Sequence, residues 1–322
     1  GASFMANALG RLSGKPGVCL STLGPGATNL ATGIADAFLD FAPMVAITAQ
    51  TSRQELHKES HQYIDIPSMF KPLTKWNSRI EGTEEIPEIL RKAFKIATTE
   101  KPGPVHLELP EDVAEFPAEG HPIIPSAISY PTPSDKALSQ AAALIKKSSQ
   151  PIIIAGNGVI RGNASAALTA FSEKLRIPAA TTFMGMGAVP ADHPLFISTV
   201  GLQARDYISC GIDRADLIIA VGYDPVEFSP KHWSHGKNII HINFTMADVD
   251  EHYSALEIIG DIQESLRSLA ESSCCEKDPS YFVKLRGLAE QTMGCSPDGF
   301  PLKPVRIVHE MRNALSREDI LI

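Results

Sequence analysis

The stretch GVCLSTLGPGATNLATGIADAFLDFAPMVAIT, residues 17–48, decides the fold class. It begins with a short apolar run, passes through a turn rich in glycine and proline, continues at helical spacing and ends in a second apolar run. A strand, a helix and a strand in that order form a βαβ unit, whose two strands are parallel. The spacing therefore predicts an α/β fold in which the turn after the first strand lies at the carboxyl edge of a sheet.

The same alternation of helices and strands continues along the chain. The predicted helices are 2–14, 84–99, 134–147, 164–175, 262–271 and 303–315. The further predicted strands are 104–110, 151–156, 177–182, 216–222 and 238–243, with the start of another at 319–322. The later strands are apolar along their whole length, as expected when helices cover both faces of a parallel sheet.

Polar and proline-rich segments divide the chain. Residues 116–134 hold five prolines, which suits an extended linker, and the polar residues from about 275 to 300 resemble a second linker, whereas 49–79 is polar and irregular. We therefore predict two consecutive Rossmann-like, parallel-sheet domains. The predicted boundaries are a partial domain at 1–116, a linker at 117–133, a central domain at 134–275, a linker at 276–302 and the start of another domain at 303–322.

Composition excludes several classes of protein. The chain has 322 residues and a net charge of −8 with scattered Lys and Arg, which argues against a nucleic-acid partner. Its apolar runs are too short to span a bilayer. The five cysteines are odd in number and lack C-x-x-C spacing, which argues against a disulfide framework or a zinc site. We expect a cytoplasmic protein without a membrane partner, since a reducing compartment fits this cysteine pattern.

The turn TLGPGATN, residues 22–29, is the first candidate for a binding site. Gly24 and Gly26 would let a ligand approach the backbone, Pro25 stiffens the turn, and the amides that open the next helix face an electron-rich group. The pattern matches neither G-x-G-x-x-G nor G-x-x-x-x-G-K-[ST]. On spacing alone, a tight turn that binds nothing is the stronger alternative.

Two further loops follow predicted strands. GNGVIRG (156–162) is one residue longer than the dinucleotide fingerprint, and the next strand has no acidic residue for a ribose, so helix–strand packing explains its glycines better. GYDPVEFSPKHW (222–233) combines acids, prolines and aromatic residues. It is either part of a site or a rigid connection that packs aromatic rings against the sheet.

A metal site is the weakest candidate. His57, His61 and Asp65 would share one face if residues 57–65 were helical. Ile64, Ile66 and Pro67 weaken such a helix, and no further ligand is evident, so we predict no metal ligand in this chain.

Taken together, these motifs resemble those of the thiamine-diphosphate enzymes of the acetolactate synthase group. GRLSGKPGVCLSTLGPGATNLATGIADA (10–37) is similar to that family's pyrimidine-binding domain, and residues 134–271 to its central domain. HQYIDIPSMFKPLTKW (61–76) resembles the segment that brings a glutamine towards the active site. KPVRIVHEM (303–311) resembles the helix that opens the diphosphate-binding domain.

The resemblance assigns roles to particular residues. It implies that Gly24, Pro25, Gly26 and Asn29 lie against the aminopyrimidine of thiamine diphosphate, and that Gln62 is a catalytic residue. The implied reaction condenses two pyruvates through a thiamine-diphosphate enamine to 2-acetolactate and carbon dioxide, with Mg²⁺ as the second cofactor. The family's cleft forms between two subunits, which implies a homodimer or homotetramer.

The resemblance also bears on FAD and on the extent of the chain. GYDPVEFSPKHW is more similar to the catabolic, FAD-independent synthases than to the biosynthetic ones. The F-D-D-R motif of the biosynthetic enzymes is absent here, which makes FAD doubtful. If FAD is bound, the resemblance implies that it lies at GNGVIRG and FMGMG (183–187). The family's catalytic glutamate and G-D-G motif are also absent, so we expect an internal fragment that is inactive by itself. An FAD-containing relative, such as a pyruvate oxidase or biosynthetic synthase, and a non-catalytic nucleotide-binding module remain alternatives.

Overall fold

The computed structural model describes residues 1–124, 128–202, 205, 210–248, 250–273, 275–294, 299–316 and 318–321. The chain divides into two compact units, Gly1–Ser129 and Tyr130–Ile322. Each contains a parallel sheet with helices, which confirms the predicted fold class. Within the described residues, no helix combines the length and the apolar character needed to cross a membrane.

The first unit contains a four-stranded parallel sheet with the strand order β1-β2-β4-β3. Its strands are β1 (Gly17–Ser21), β2 (Met44–Gln50), β3 (Trp76–Arg79) and β4 (Pro104–Pro110). Its helices are α1 (Ala2–Ser13), α2 (Pro25–Leu39), α3 (Ile66–Phe70), α4 (Ile86–Thr98) and α5 (Glu111–Glu115). Apolar residues of α1, α2 and α3 cover one face of the sheet and those of α4 the other, so the central strands are buried between helices.

The second unit contains a six-stranded parallel sheet with the order β10-β9-β8-β5-β6-β7. Its strands are β5 (Pro151–Ala155), β6 (Ala179–Thr182), β7 (Phe196–Val200), β8 (Leu217–Val221), β9 (Asn238–Asn243) and β10 (Leu256–Ile259). Its helices are α6 (Asp135–Lys147), α7 (Asn157–Arg161), α8 (Ser165–Leu175), α9 (Ile262–Ser272), α10 (Ser280–Gly294) and α11 (Pro304–Ala314). Strands β5 and β8 are buried over their whole length, as their apolar sequences predicted.

Three sequence predictions about local structure are wrong. The region 49–79 is not irregular throughout, since it contains α3 and the edge strand β3. The supposed linker at 276–302 contains α10, whose Phe282 is buried and whose Arg286 donates hydrogen bonds to the carbonyls of His193 and Phe196. These contacts hold the helix against the second unit. Residues 319–321 form no strand, and Ile322 lies outside the described residues.

Candidate functional site

The carboxyl ends of four parallel strands meet at one edge of the first unit's sheet. The turn that holds Gly24 follows β1, and Gln50 ends β2. Strand β4 carries Glu108 close to its end, opposite Arg79 at the end of β3. Open α/β sheets bind ligands at this edge, so the predicted turn and several polar residues share the position expected of a site.

The turn lies directly against the segment that carries Gln62. Gly24 is buried and has a φ of 53°, and a Cβ built on it would lie 2.4 Å from the carbonyl oxygen of Gln62. Gln62 itself has a φ of 58°, a conformation that few residues other than glycine adopt. Gly24 is therefore required by the close approach of this segment, so the structure brings together two of the predicted site residues.

The other predicted residues of the turn differ in their surroundings. At Gly26, an added Cβ would lie 2.5 Å from the Thr22 methyl group, so this glycine accommodates a side chain of its own turn. Pro25 and Asn29 are exposed at the beginning of α2, and the side chain of Gln62 is exposed as well. The outer surface of the turn is thus open, and its exposed residues fit a flat polar ring that stacks against main chain and contacts an amide.

We expect Gly24→Ala to destabilise the protein by about 2–3 kcal/mol, because it combines a left-handed backbone with a steric collision. Gly14→Ala is the matched control: Gly14 has a φ of 66° but nothing within 4 Å of its Cβ position, so only the backbone cost of about 1 kcal/mol applies. Urea denaturation of both variants measures the difference. Equal losses of unfolding free energy would show that Gln62 does not crowd Gly24.

A buried polar cluster lies beside the turn. The side chain of Gln50 donates to Glu108 Oε2 and to the carbonyl of Ile64, both at 3.0 Å, and Arg79 Nε lies 2.5 Å from Glu108 Oε1. Glu108 is fully buried. Among the described residues, Arg79 is the one cation that forms an ion pair with it. Sequence reasoning missed this cluster, although a glutamate inside the mostly apolar strand PVHLELP is a signal of a buried ion pair.

A second polar pair lies on the same two strands. Thr48 Oγ1 is 2.9 Å from His106 Nε2, and the imidazole ring lies 4.6 Å from the ring of Phe70. Burial lowers the pKa of His106 to about 3, so its imidazole is neutral at physiological pH. His106 is therefore a buried structural residue and not a proton donor at the edge of the sheet.

The structure lacks the helix on which the metal hypothesis for His57, His61 and Asp65 depended. Residues 57–65 form no α-helix, so His57, His61 and Asp65 do not share a helical face. Asp65 instead caps α3, accepting a hydrogen bond from the backbone amide of Ser68 at 3.1 Å. Across the described residues, no three His, Cys, Asp or Glu side chains gather closely enough to hold a metal ion.

The glycines of GNGVIRG serve packing inside the second unit. A Cβ on Gly156 would lie 2.5 Å from the carbonyl oxygen of Gly222, and one on Gly158 would lie 2.6 Å from the Cα of Gly222. Gly222, with a φ of 57°, is equally confined by Val159 and Gly158. The two loops therefore pack main chain against main chain, and the space that the missing side chains leave is filled by the protein itself.

The carboxylate of Glu227, in GYDPVEFSPKHW, contacts the beginning of the GNGVIRG turn. Both oxygens of Glu227 lie 3.2 Å from the backbone nitrogen of Asn157, and the Thr182 hydroxyl donates a hydrogen bond to one of them. Thr182 Oγ1 also accepts a bond from the amide of Gly185, within FMGMG. A dinucleotide would place its diphosphate against a Gly-rich turn of this kind. The Glu227 side chain already occupies the Asn157 amide that such a diphosphate would need, so these residues do not fit FAD.

The rest of GYDPVEFSPKHW packs aromatic rings. Tyr223 and Trp233 are buried, and Trp233 lies 5.8 Å from Phe228 in a stacked arrangement. Tyr253 completes the cluster, with its ring 5.6 Å from that of Tyr223. Of the two interpretations of this loop, the packing of aromatic rings against the sheet describes the structure, and the loop also brings Glu227 to the Asn157 amide.

We expect Glu227→Gln to change the pH dependence of stability. Burial raises the pKa of Glu227 to about 7 in the folded protein, so folding favours its protonated form. Its contribution to stability is complete below pH 4.5 and is lost as the pH rises to about 7. Relative to wild type, the free energy of unfolding of the Gln variant should increase by up to about 3 kcal/mol between these pH values. Urea denaturation of both proteins at pH 4.5 and 7.5 tests this. The prediction is contradicted if the difference in unfolding free energy between the variant and wild type is the same at both pH values.

Comparisons with known proteins identify the family. Residues 1–69 match the description "Thiamine pyrophosphate enzyme, N-terminal TPP binding domain", and residues 138–269 match "Thiamine pyrophosphate enzyme, central domain". The "Probable acetolactate synthase large subunit" of Methanocaldococcus jannaschii is 37% identical over 99% of this chain and 56% of its own length. The "Acetolactate synthase" of Bacillus subtilis is 31% identical over 98% of this chain and 57% of its own length.

A third relative is the "Acetolactate synthase isozyme 1 large subunit" of Escherichia coli, 33% identical over 84% of this chain and 50% of its own length. The chain thus spans about half the length of the curated relatives it matches. The family match to the first 69 residues includes both the turn at Gly24 and the segment at Gln62. The chain belongs to the thiamine pyrophosphate enzymes and is related in sequence to their acetolactate synthases.

Proposed function

We propose that the protein containing this chain is an acetolactate synthase, which condenses two molecules of pyruvate to 2-acetolactate with loss of carbon dioxide. The observation that carries the proposal is the contact of the Gln62 segment with the Gly24 turn at the carboxyl edge of a parallel sheet. The relatives named as acetolactate synthases align over this region and over the central domain.

In this proposal the chain forms the pyrimidine-side wall of the site. The backbone of Gly24, Pro25 and Gly26 would hold the aminopyrimidine, and Asn29 would donate or accept a hydrogen bond at its edge. Gln62, exposed beside the turn, would orient the substrate. Thiamine diphosphate, when bound with Mg²⁺, supplies the thiazolium carbon that reacts with pyruvate, so the protein's task is binding, orientation and exclusion of water.

We propose that the active protein does not use FAD. The support is the Glu227 carboxylate on the Asn157 amide, which stands where the negative charge of a dinucleotide would have to lie. A pyruvate oxidase or an FAD-containing synthase is the competing function. Purified full-length protein should lack the visible absorbance band of a bound flavin, and a stoichiometric flavin band would overturn this part of the proposal.

A homodimer or homotetramer is proposed because the family's cleft lies between subunits. A cytoplasmic location agrees with cysteines such as Cys19 and Cys275, which form no disulfide. Burial raises the pKa of the Cys19 thiol to about 11, so this cysteine is an unreactive part of the core.

The experiment is a titration of the full-length protein with thiamine diphosphate in the presence of Mg²⁺, together with an assay of acetolactate from pyruvate. Asn29→Ala should weaken cofactor binding about tenfold, the loss expected for one hydrogen bond. Thr32→Ala is the matched control, because Thr32 is exposed on the same helix, one turn further along. No acetolactate from the wild type, or equal affinity in both variants, would refute the function or the assignment of the turn, respectively.

A further inference from the structure

We propose that Gln50 is a positioning residue, whose side-chain amide holds the segment carrying Gln62 against the Gly24 turn. Gln50 is the last residue of β2, and its side chain is buried. Among the described residues, its side-chain hydrogen bonds go to Glu108, Ile64 and Thr51, so we infer that its influence on the site passes through the segment at residues 57–66.

All hydrogen-bonding groups of the Gln50 side-chain amide have partners. Its nitrogen donates one hydrogen bond to Glu108 Oε2 and one to the carbonyl of Ile64, each at 3.0 Å. Its oxygen accepts from the amide of Thr51 at 2.9 Å. A primary amide has two N–H donors, and both are used, so the orientation of the side chain is determined by its partners.

Glu108, which accepts one of these hydrogen bonds, is itself held in place. On β4 it is opposite Thr48 of β2 and Arg79 of β3, so the register of three strands sets its position. One carboxylate oxygen takes the ion pair with Arg79 and the other takes the hydrogen bond from Gln50. Because the acceptor is charged, the hydrogen bond from the Gln50 amide is strengthened, and it anchors the Gln50 side chain to the central strands of the sheet.

Gln50 is connected to Gln62 through the backbone of Ile64. The Ile64 carbonyl, two residues beyond Gln62, accepts from Gln50 and also from the amide of Ile66. On the other side, the amide of Tyr63 donates to the carbonyl of Ser60 at 3.2 Å. Gln62 lies between these two hydrogen-bonded positions, and its left-handed backbone packs closely against Gly24. Loss of the Gln50 bond should therefore release the segment and let Gln62 leave this conformation.

The test is hydrogen exchange of the full-length protein, measured at residues 57–66. Gln50→Met keeps the length of the side chain but removes its donors, and exchange in this segment should become about tenfold faster. Thr48→Val is the matched control, because it removes a buried hydrogen bond to His106 from the same strand without touching the segment. Its exchange at 57–66 should stay within twofold of wild type.

Gln50→Asn provides a second variant in case Gln50→Met does not fold. It retains the amide but is one methylene shorter, so it cannot reach both acceptors, and an increase of about threefold is expected. Wild-type exchange at residues 57–66 in the folded Gln50 variants would overturn the proposal. The same acceleration in Thr48→Val would also overturn it, because general destabilisation would then explain the effect.

The role of the segment in catalysis rests on the proposed function, whereas its anchoring does not. In the acetolactate assay, kcat should fall in the order of the exchange rates, with Gln50→Met below Gln50→Asn, and Thr48→Val should keep the wild-type value. A kcat that does not follow the exchange rates would overturn the positioning role. Accelerated exchange in a protein that makes no acetolactate would support the anchoring and refute the proposed function, so the two failures are distinguishable.

Discussion

Trp233→Ala should lower the free energy of unfolding of the second unit by about 3–5 kcal/mol, the cost of removing a large aromatic side chain from a packed core. Trp233 is 1% exposed, and its ring lies 5.8 Å from Tyr223, 5.8 Å from Phe228 and 6.2 Å from Tyr253. Tyr223 and Phe228 lie in the same loop as Trp233, and Tyr253 comes from a later segment; these rings cannot fill a cavity of this size without losing their own contacts.

Trp233→Phe is the control for this prediction. The indole N–H of Trp233 has no hydrogen-bond partner among the described residues, so phenylalanine loses area but no hydrogen bond. It should cost less than half as much as alanine. Thermal and urea denaturation of the two variants provide the measurement, and a loss below about 1 kcal/mol in both would contradict the packing of this loop.

The strands that sequence reasoning missed share a position in the sheets. Strands β3, β7 and β10 are all edge strands, whereas the well-predicted strands at 104–110 and 238–243 lie inside. An edge strand pairs on one side only and is partly exposed, so it needs fewer apolar residues. The sequence WNSR of β3 contains one apolar residue in four, and no periodicity identifies it as a strand.

The candidate site was predictable as a location but not as a set of contacts. A Gly-rich turn after an apolar strand indicates a carboxyl edge, and this placed Gly24 correctly. The reason for that glycine was not predictable, because Gln62 is distant in sequence and reaches the turn only through the folded loop. The bond from Asn157 to Glu227 likewise joins residues 70 positions apart, and neither residue belongs to a motif that indicates it.

The same limit applies to Gln50, Glu108 and Arg79. Each ends or nearly ends a strand, and only the strand order β2-β4-β3 brings them side by side. A chain with the sequence order β2-β3-β4 in its sheet would separate Gln50 from Glu108. The polar character of individual residues is visible in the sequence, but their partners depend on which strands become neighbours.

The second large effect is expected at Arg79. Arg79→Met should destabilise the first unit by about 3–5 kcal/mol, because it leaves a buried carboxylate without its charged partner. Glu108 is 0% exposed, so water cannot replace the guanidinium, and Gln50 donates only a neutral hydrogen bond to it. Methionine retains much of the apolar stem of Arg79, and the loss therefore reports mainly on the charge.

Two comparisons separate this effect from the loss of any ion pair. Arg11→Met breaks the pair with Asp40 at 2.8 Å in the same unit, but the two side chains are 45% and 28% exposed, so a cost below about 1 kcal/mol is expected. The double variant Arg79→Met, Glu108→Gln should be more stable than Arg79→Met alone, because the amide removes the buried charge. Equal costs for Arg79→Met and Arg11→Met, measured by urea denaturation, would mean that the Glu108 charge reaches solvent. In that case Glu108 would not hold the Gln50 side chain in a fixed position, and Gln50 could not anchor the segment that carries Gln62.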